Sequence, residues 1–193
     1  MRAYRFLFVA LLFGPLGAFA ETYKIDSGHS RIAFSLHQFV STVRGDFHRF
    51  NGTIEVSHEH PERSLVTARI SVASIDTKIQ KRDHHLLTPE FFDAERFPEI
   101  TFKSRSVKQT GENTGDILGD FTMHGVTKPM TLHVKLVTPP SNGPLPERTR
   151  WIVTTDPINR KDFGLMFSSV TESISGISNN VTPTIEIEAV RAK

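Results

Sequence analysis

The sequence predicts an all-β, antiparallel fold, and two observations carry this prediction. Apolar and polar residues alternate with the two-residue period of a half-buried strand through most of residues 31–189. No helical period extends over a long window of the chain. About eight strands with one apolar face each are typical of an antiparallel sandwich or a closed barrel, and the period does not distinguish a filled barrel from a hollow one.

Each predicted strand is identified by residues that share one apolar face. Gly45 and Asp46 are interpreted as a break after the first strand, and His124–Thr127 as a tight hairpin in which Gly125 supplies a positive φ. The Pro-rich residues 138–149 are predicted to form a long exposed loop. In chain order the apolar faces are Ile32, Phe34 and Leu36; Phe50, Ile54 and Val56; Val66, Ala68, Ile70 and Val72; Ile100 and Phe102; Ile117, Gly119, Phe121 and Met123; Met130, Leu132, Val134 and Leu136; Trp151, Val153 and Thr155; and Ile185, Ile187 and Ala189.

A charged insert interrupts the alternation between the third and fourth of these strands. Cationic and imidazole side chains crowd into eight of its positions, as Lys78, Lys81, Arg82, His84 and His85. Thr88 followed by Pro89 is typical of a helix N-cap and first helical position, so a short helix near residues 80–93 is predicted to carry Phe91 and Phe92. An insert of this type either plugs a β-structure or forms the lip of a cavity.

Residues 1–20 have the features of a secretory signal peptide. Two arginines precede an apolar run, and a small-x-small pattern ends at Ala20. Gly14 and Pro15 interrupt that run, which is shorter than the roughly 20 residues of a membrane-spanning helix, so no stable membrane span is predicted. We therefore expect cleavage after Ala20 and a single domain covering residues 21–193.

The chain without its first 20 residues carries no excess charge. The sequence has 23 Lys and Arg residues against 21 Asp and Glu residues, and two of the arginines lie in residues 1–20, so 21 of each sign remain. A nucleic-acid partner would require a basic surface that this balance does not supply. We therefore predict no nucleic-acid binding.

Candidate catalytic and metal-binding patterns are weak. The chain has no cysteine and no G-x-S-x-G motif, and its histidines do not have metal-ligand spacing on a rigid element. No catalytic residue, metal site or catalytic cofactor is predicted. The cationic insert is either a solvated loop or an anion-tolerant lip above an apolar hole, and Asn159–Gly164 supplies a second cluster of the same kind.

Short motifs follow one another in a fixed order along the chain. Each motif is weak alone, but the ordered set is specific and resembles the YceI-like family over essentially all of residues 21–193. The motifs are Tyr23-x-Ile25-Asp26-x-x-His29-Ser30, Gly45-x-Phe47-x-x-Phe50-x-Gly52, Ser74-Ile75-Asp76-Thr77, Arg82-Asp83-x-His85-Leu86, Phe91-Phe92-Asp93, Phe97-Pro98-x-Ile100-x-Phe102, Gly119-Asp120-Phe121-Thr122-Met123-His124-Gly125-Val126-Thr127-Lys128 and Asn159-Arg160-x-Asp162-Phe163-Gly164.

The resemblance implies a lipocalin-like, extended, eight-stranded antiparallel barrel in the bacterial periplasm. Members of that family resemble carriers or storage proteins for polyisoprenoid chains, such as quinone tails or prenyl pyrophosphates, or for other long-chain amphiphiles. Such a lipid is therefore the expected ligand. Phe91 and Phe92 are assigned to the entrance, and Arg82, His85 and Arg160 to a polar head. Strand parity assigns the tunnel wall to Phe34, Leu36, Ile54, Val72, Phe102, Phe121, Leu132 and Trp151.

Two other interpretations remain open at this stage. One is a solid barrel that binds a protein partner through the insert at residues 78–93. The other is an enzyme acting on an isoprenoid or a small periplasmic substrate, which the lack of a base–nucleophile pair disfavours. The sequence also leaves open which lipid is bound and whether the barrels form homodimers.

Overall fold

The structure, a computed structural model, describes residues 21–57, 59–138, 145–167 and 175–193. No helix within these ranges has the length and apolar character needed to span a membrane. The elements lying wholly within these ranges are twelve β-strands, one α-helix and three 3-10 turns, the turns being Pro61–Arg63, Val72–Ser74 and Arg160–Phe163. The strands and helix are β1 (Glu21–Ile25), β2 (Arg31–Gln38), β3 (Ser41–Phe47), β4 (Phe50–Val56), β5 (Leu65–Ser71), β6 (Ile75–Asp76), α1 (Gln80–Leu87), β7 (Glu99–Gly111), β8 (Thr114–Met123), β9 (Val126–Leu136), β10 (Arg148–Thr154), β11 (Ile158–Asn159) and β12 (Asn180–Arg191).

The sheet closes on itself through β12. One edge of β12 pairs with β10, while its other edge pairs with β1 near the C-terminal end and with β2 nearer the N-terminal end. From β1 the antiparallel order continues through β4, β5, β7, β8 and β9 back to β10. The prediction of an eight-stranded antiparallel barrel with a short helix is therefore confirmed.

Four of the eight positions in the barrel wall are each shared by two strands, one of them by β10 and β11, which both pair with β12. β1 and β2 lie end to end beside β12, and β4 and β3 lie beside them in the same way. β5 pairs with β4, and β6 pairs with β3, so these two strands share a further position.

Side chains alternate between the interior and the outer surface along the long strands, and register shifts after Ser104 and Gln109 interrupt the alternation in β7. In β8, for example, Ile117 and Phe121 are buried, whereas Leu118 is exposed. The outer face carries cross-strand ion pairs, including Arg31 Nε to Asp46 Oδ1 at 2.7 Å. Exposed pairs of this kind contribute about 0–1 kcal/mol each, so burial of the inner face dominates the stability of the wall.

The Gly45-Asp46 break predicted from the sequence is wrong, because both residues lie within β3. Gly45 pairs with Phe34 of β2, and a Cβ atom at Gly45 would lie 2.5 Å from the Phe34 ring. The glycine therefore makes room for an aromatic ring on the neighbouring strand and does not form a turn. The strand β1 was also absent from the predicted set.

The helix of the insert lies within the predicted range near residues 80–93, but Thr88 is not its N-cap. α1 ends at Leu87, and Thr88 is its C-cap, with its backbone N–H and its hydroxyl both donating to the carbonyl oxygen of His85 at 3.2 and 2.8 Å. Because the residue before a proline is driven out of the α region, Pro89 holds Thr88 extended at φ −69° and ψ 165°. Phe91 and Phe92 thus follow the helix in a turn.

The β8–β9 hairpin provides a test of the backbone assignment. Gly125 has φ +72°, and a Cβ atom there would lie 2.5 Å from the Phe97 ring. We expect Gly125→Ala to lower the free energy of unfolding by about 1–3 kcal/mol, measured by urea denaturation. Gly28→Ala is the control, because its Cβ would approach only Asp26 Oδ1 at 3.4 Å. Equal effects at the two positions would contradict the strained backbone at Gly125.

Candidate functional site

The barrel encloses a cavity of about 370 Å³. All twelve strands contribute lining residues, and nearly all of these are aliphatic, aromatic or methionine side chains. The barrel interior is therefore hollow, which answers the question that strand periodicity left open. The polar residues of the lining are Gln38, Asn51, Ser64, Thr77, Arg82, His85, Thr155 and Arg160.

Buried side chains fill the end of the barrel where β1 begins and β12 ends, on the side formed by those strands and β10. Tyr23 is 1% exposed, and Leu136, Leu145, Thr149 and Ala189 are buried around it. Leu145 lies in the segment predicted to be an exposed loop, so its burial corrects that prediction. We call these five residues the floor cluster.

A hydrogen-bond network holds the phenol of Tyr23 in the floor cluster. Its hydroxyl donates to Glu21 Oε2 at 2.9 Å and accepts from Arg191 Nη2 at 3.1 Å. Arg191 also donates to the carbonyl oxygen of Leu145. Burial raises the pKa of Tyr23 above its ordinary value of 10.0; the hydrogen bond from Arg191 opposes this shift and the one to Glu21 adds to it.

The opposite end of the barrel carries most of the polar lining. There α1, the segment before it and the turn after β11 bring Thr77, Arg82, His85 and Arg160 to the cavity. His85 is exposed as well as lining, so the cavity reaches the surface at this end. We call this opening the mouth.

Arg82 is fixed against the segment that precedes α1. Its Nε donates to Thr77 Oγ1 at 2.7 Å, and its Nη2 donates to the Thr77 carbonyl oxygen at 2.9 Å. Asp83 accepts from the backbone N–H and the hydroxyl of Thr77, which secures the same turn from the other side. Within the described part of the chain, Arg82 has no carboxylate within 4 Å, so the fixed guanidinium presents a positive charge to the mouth.

Arg160 has a different environment, because it is 2% exposed. Its Nη1 donates to the carbonyl oxygen of Leu165 at 2.7 Å, and its Nε to that of Ser178 at 3.2 Å. Asn179 Oδ1 accepts from Nη2 at 3.3 Å. This side chain joins two segments of the mouth while its guanidinium also borders the cavity.

Aromatic rings cover the mouth beside these charges. The Phe91 ring lies 5.3 Å from that of Phe92 and 5.1 Å from that of Phe167. Phe167 also contacts the ring of His85, with centroids 6.0 Å apart, and lies 5.7 Å from the guanidinium carbon of Arg160. His85 in turn is hydrogen-bonded through Nε2 to Glu90 at 2.9 Å. The mouth therefore combines cationic donors with apolar rings.

The structure brings nearly all of the predicted site residues to one cavity. The exception is Val72, which is buried but does not line the cavity, because β5 ends at Ser71 and Val72 begins a 3-10 turn outside the strand alternation. The predicted residues that line the cavity are Phe34, Leu36, Ile54, Phe91, Phe92, Phe102, Phe121, Leu132, Trp151, Arg82, His85 and Arg160. Their contact with a ligand remains a prediction.

Several lining residues were not predicted from the sequence. Phe47 was missed because β3 was interpreted as a break, although its parity with Gly45 would have placed it on the inner face. Thr77 lies in the Ser-Ile-Asp-Thr motif, which was noted without a role. Phe167 lies at the start of residues 167–180, where the pattern is weak, and residues 168–174 of that segment lie outside the described residues.

One group of metal-ligating side chains occurs within the described ranges, formed by Asp26, His29 and Glu188. Arg148 donates to both carboxylates, at 2.9 Å to Asp26 Oδ2. This hydrogen bond is the main cause that lowers the pKa of Asp26, with a second contribution from His29. The guanidinium of Arg148 thus pairs with both acids of this group.

A closed antiparallel barrel with an apolar cavity and a charged mouth defines a lipocalin-like binding barrel. The chain matches the YceI-like domain model over residues 23–189. It is 35% identical to Protein YceI of Salmonella agona over 191 residues, covering 97% of this chain and 96% of the relative. The protein therefore belongs to the YceI-like family, as its motifs indicated.

Solved structures show the same fold. BcnA of Burkholderia cenocepacia has a TM-score of 0.76 at 20% identity, covering 86% of this chain and 99% of that one. The Campylobacter jejuni YceI protein has a TM-score of 0.64 at 25% identity, covering 81% and 89%. A polyisoprenoid-binding domain from Saccharophagus degradans has a TM-score of 0.64 at 17% identity, covering 88% and 98%.

The floor cluster can be tested by titration, because Tyr23 is the single tyrosine of residues 21–193. We expect its phenolate absorbance to titrate above pH 10.0 in the folded protein and near that value in urea. Since the folded state keeps the proton that the unfolded state has lost, stability should fall as the pH rises from the unfolded pKa through the folded one. A folded-state midpoint at or below the urea value would contradict the buried phenol.

Proposed function

We propose that the protein binds and carries a long-chain amphiphilic lipid in the periplasm, after cleavage of residues 1–20. The lipid is a polyisoprenoid of the quinone or prenyl pyrophosphate type, with its tail in the cavity and its head at the mouth. The observation that carries this proposal is an apolar cavity of about 370 Å³ whose guanidinium and imidazole lining residues, Arg82, Arg160 and His85, all lie at one end. An amphiphile has the same division between tail and head.

The size and lining of the cavity are those of a ligand site. Ligand cavities commonly measure roughly 300–1,000 Å³ and are lined mostly by apolar side chains with a few placed polar groups. The fold is shared with a domain from Saccharophagus degradans that is described as polyisoprenoid-binding. Family membership and cavity chemistry thus favour the same class of ligand.

Burial of the tail supplies enough free energy for useful affinity. Each buried CH₂ group contributes about 0.8 kcal/mol, so about ten of them contribute roughly 8 kcal/mol before costs. Lost freedom of the lipid offsets part of this gain. Selectivity for the tail is then low, because a change in its length or saturation alters the buried apolar area only slightly. The head group is selected by the polar residues of the mouth.

Binding also fits the polar groups of the mouth better than turnover. Arg82 is held by the hydroxyl and carbonyl oxygens of Thr77 in a position where it can donate to an anion, and Arg160 borders the same end of the cavity. Neither arginine can act as a general base, because a guanidinium keeps its proton at physiological pH. We therefore propose a carrier and not an enzyme.

The cavity assignment can be tested with two leucines on neighbouring strands. Leu132 lines the cavity, whereas Leu118 is exposed on the outer wall of the barrel. We expect Leu132→Arg to reduce bound lipid at least about tenfold, because the apolar tail would meet an unpaired charge. Leu118→Arg should leave binding unchanged.

The measurement is native mass spectrometry of each protein purified from its own host, with organic extraction of what is bound. Circular dichroism and thermal unfolding identify any variant that fails to fold, and Phe121→Arg provides a second inward-facing position. A folded inward variant that retains a stoichiometric lipid would contradict the cavity assignment. A wild-type protein that is empty and takes up no added polyprenyl lipid would contradict the proposed function.

The role of the mouth can be tested by comparing two ligands. We expect Arg82→Ala to weaken binding of a prenyl pyrophosphate about tenfold to hundredfold, because a hydrogen bond to a charged group contributes about 1.5–3 kcal/mol. A quinone with the same tail should lose little affinity. Lys81→Ala is the matched control, since Lys81 is the exposed neighbour and does not line the cavity. Equal losses for both ligands would count against head binding by Arg82.

A further inference from the structure

The most exposed large apolar side chains of the described residues all border the mouth. Val40 is fully exposed, and Phe39, Ile79 and Met166 are 70%, 51% and 49% exposed. Phe39 and Val40 join β2 to β3, whose residues Leu36, Gln38 and Val43 line the cavity. Ile79 is the N-cap of α1, and Met166 lies between the lining residues Leu165 and Phe167. Exposed apolar residues grouped in this way mark interaction sites.

The Phe39-Val40 turn departs from the chemistry of a two-residue hairpin. Such turns favour Asn-Gly and similar pairs, because at least one central residue takes a positive φ. Phe39 has φ +51°, a conformation in which a bulky residue is an outlier. Positions that break such a local rule are expected to be functional ones.

The turn is held firmly in this exposed position. The backbone N–H of Phe39 donates to the carbonyl oxygen of Gly176 at 3.0 Å, and that of Ser178 donates to His37 at 2.8 Å. The Phe39 ring also lies against Gly176, where a Cβ atom would come within 2.4 Å. Phe39 and Val40 therefore form an apolar tip that projects from the barrel and is held by these contacts.

The surroundings of this tip carry a positive charge. β3 pairs with β6, which leads directly into the cationic segment before and within α1. Glu90 is hydrogen-bonded to His85 of the mouth, whereas Phe97 packs against Gly125 of the β8–β9 turn. From β3 through α1 the charged residues on the tip side are Arg44, Lys78, Lys81 and Arg82 against Asp46, Asp76 and Asp83. Asp46 is paired with Arg31 and Asp76 with Lys78, so Arg44, Lys81 and Arg82 outnumber the remaining acid, Asp83.

We propose that this face of the mouth docks onto an anionic phospholipid bilayer. Phe39 and Val40 enter the interfacial region, with Ile79 beside them. Lys81 and Arg44 contact lipid phosphates, which attract basic residues close to a membrane surface. In this orientation the mouth faces the bilayer, so a lipid can pass between membrane and cavity without crossing water.

The test uses vesicles that contain no isoprenoid, so its outcome does not depend on what the cavity carries. Phe39→Asn/Val40→Gly removes the apolar tip and supplies the pair that the turn favours, so the variant should remain folded. Leu118→Asn is the control, because it removes an exposed leucine from the barrel wall. Binding is measured by flotation with phosphatidylcholine vesicles, with and without phosphatidylglycerol.

We expect the wild-type protein to bind the anionic vesicles and to bind them less at high salt. The tip variant should bind at least about tenfold more weakly, and Lys81→Ala about fivefold more weakly. Leu118→Asn should bind as the wild type does. No vesicle binding by the wild type, or equal binding by the tip variant, would overturn the proposal. A dimer that the tip variant abolishes, without vesicle binding, would assign the face to a second copy of the chain.

Discussion

The structure depends on the pairing of both edges of β12. Along Asn180–Arg191 one edge bonds to β10 and the other to β1 and β2, so the sheet has no free edge at the point of closure. Backbone donors and acceptors of the wall then satisfy one another within the ladder. Because the wall needs no polar partner from the interior, its inner face can be almost entirely apolar. A cavity suited to a lipid tail follows from that closure.

A closed wall of eight strands does not by itself leave space, since such barrels are often filled by their side chains. Two large rings here lie against glycines on the neighbouring strand. A Cβ atom at Gly45 would lie 2.5 Å from the ring of Phe34, and one at Gly119 would lie 2.5 Å from that of Phe102. These rings lean along the wall and do not cross the barrel, which keeps the centre open. Phe34 and Phe102 therefore line the cavity.

The strand alternation was sufficient to predict the fold class and the inward face of most strands, because burial on one side imposes a period of two. The pattern led to wrong predictions at three places, for three different physical reasons. Gly45 is a residue type common in turns, but here it lies within β3 and leaves room for the ring of Phe34 on the paired strand. Val72 continues the parity of β5 in sequence, yet the strand ends one residue earlier. Thr88-Pro89 resembles a helix start, whereas the same steric restriction ends α1.

The two ends of the barrel differ in a way that gives the cavity a direction. At the floor cluster, the hydroxyl of Tyr23 is hydrogen-bonded to Glu21 and Arg191, and Arg191 also donates to the carbonyl oxygen of Leu145. At the mouth, Arg82 is braced by Thr77 and keeps a charge that no described carboxylate neutralises. A lipid that enters tail first would bury its chain against apolar walls and leave its head beside that charge. The reverse orientation would strip an anionic head of water at an end where Arg191 is already bonded to Glu21, Tyr23 and the Leu145 carbonyl oxygen. Under the proposed function, the charge of Arg82 would therefore set the orientation of the lipid, and the apolar wall would set its affinity.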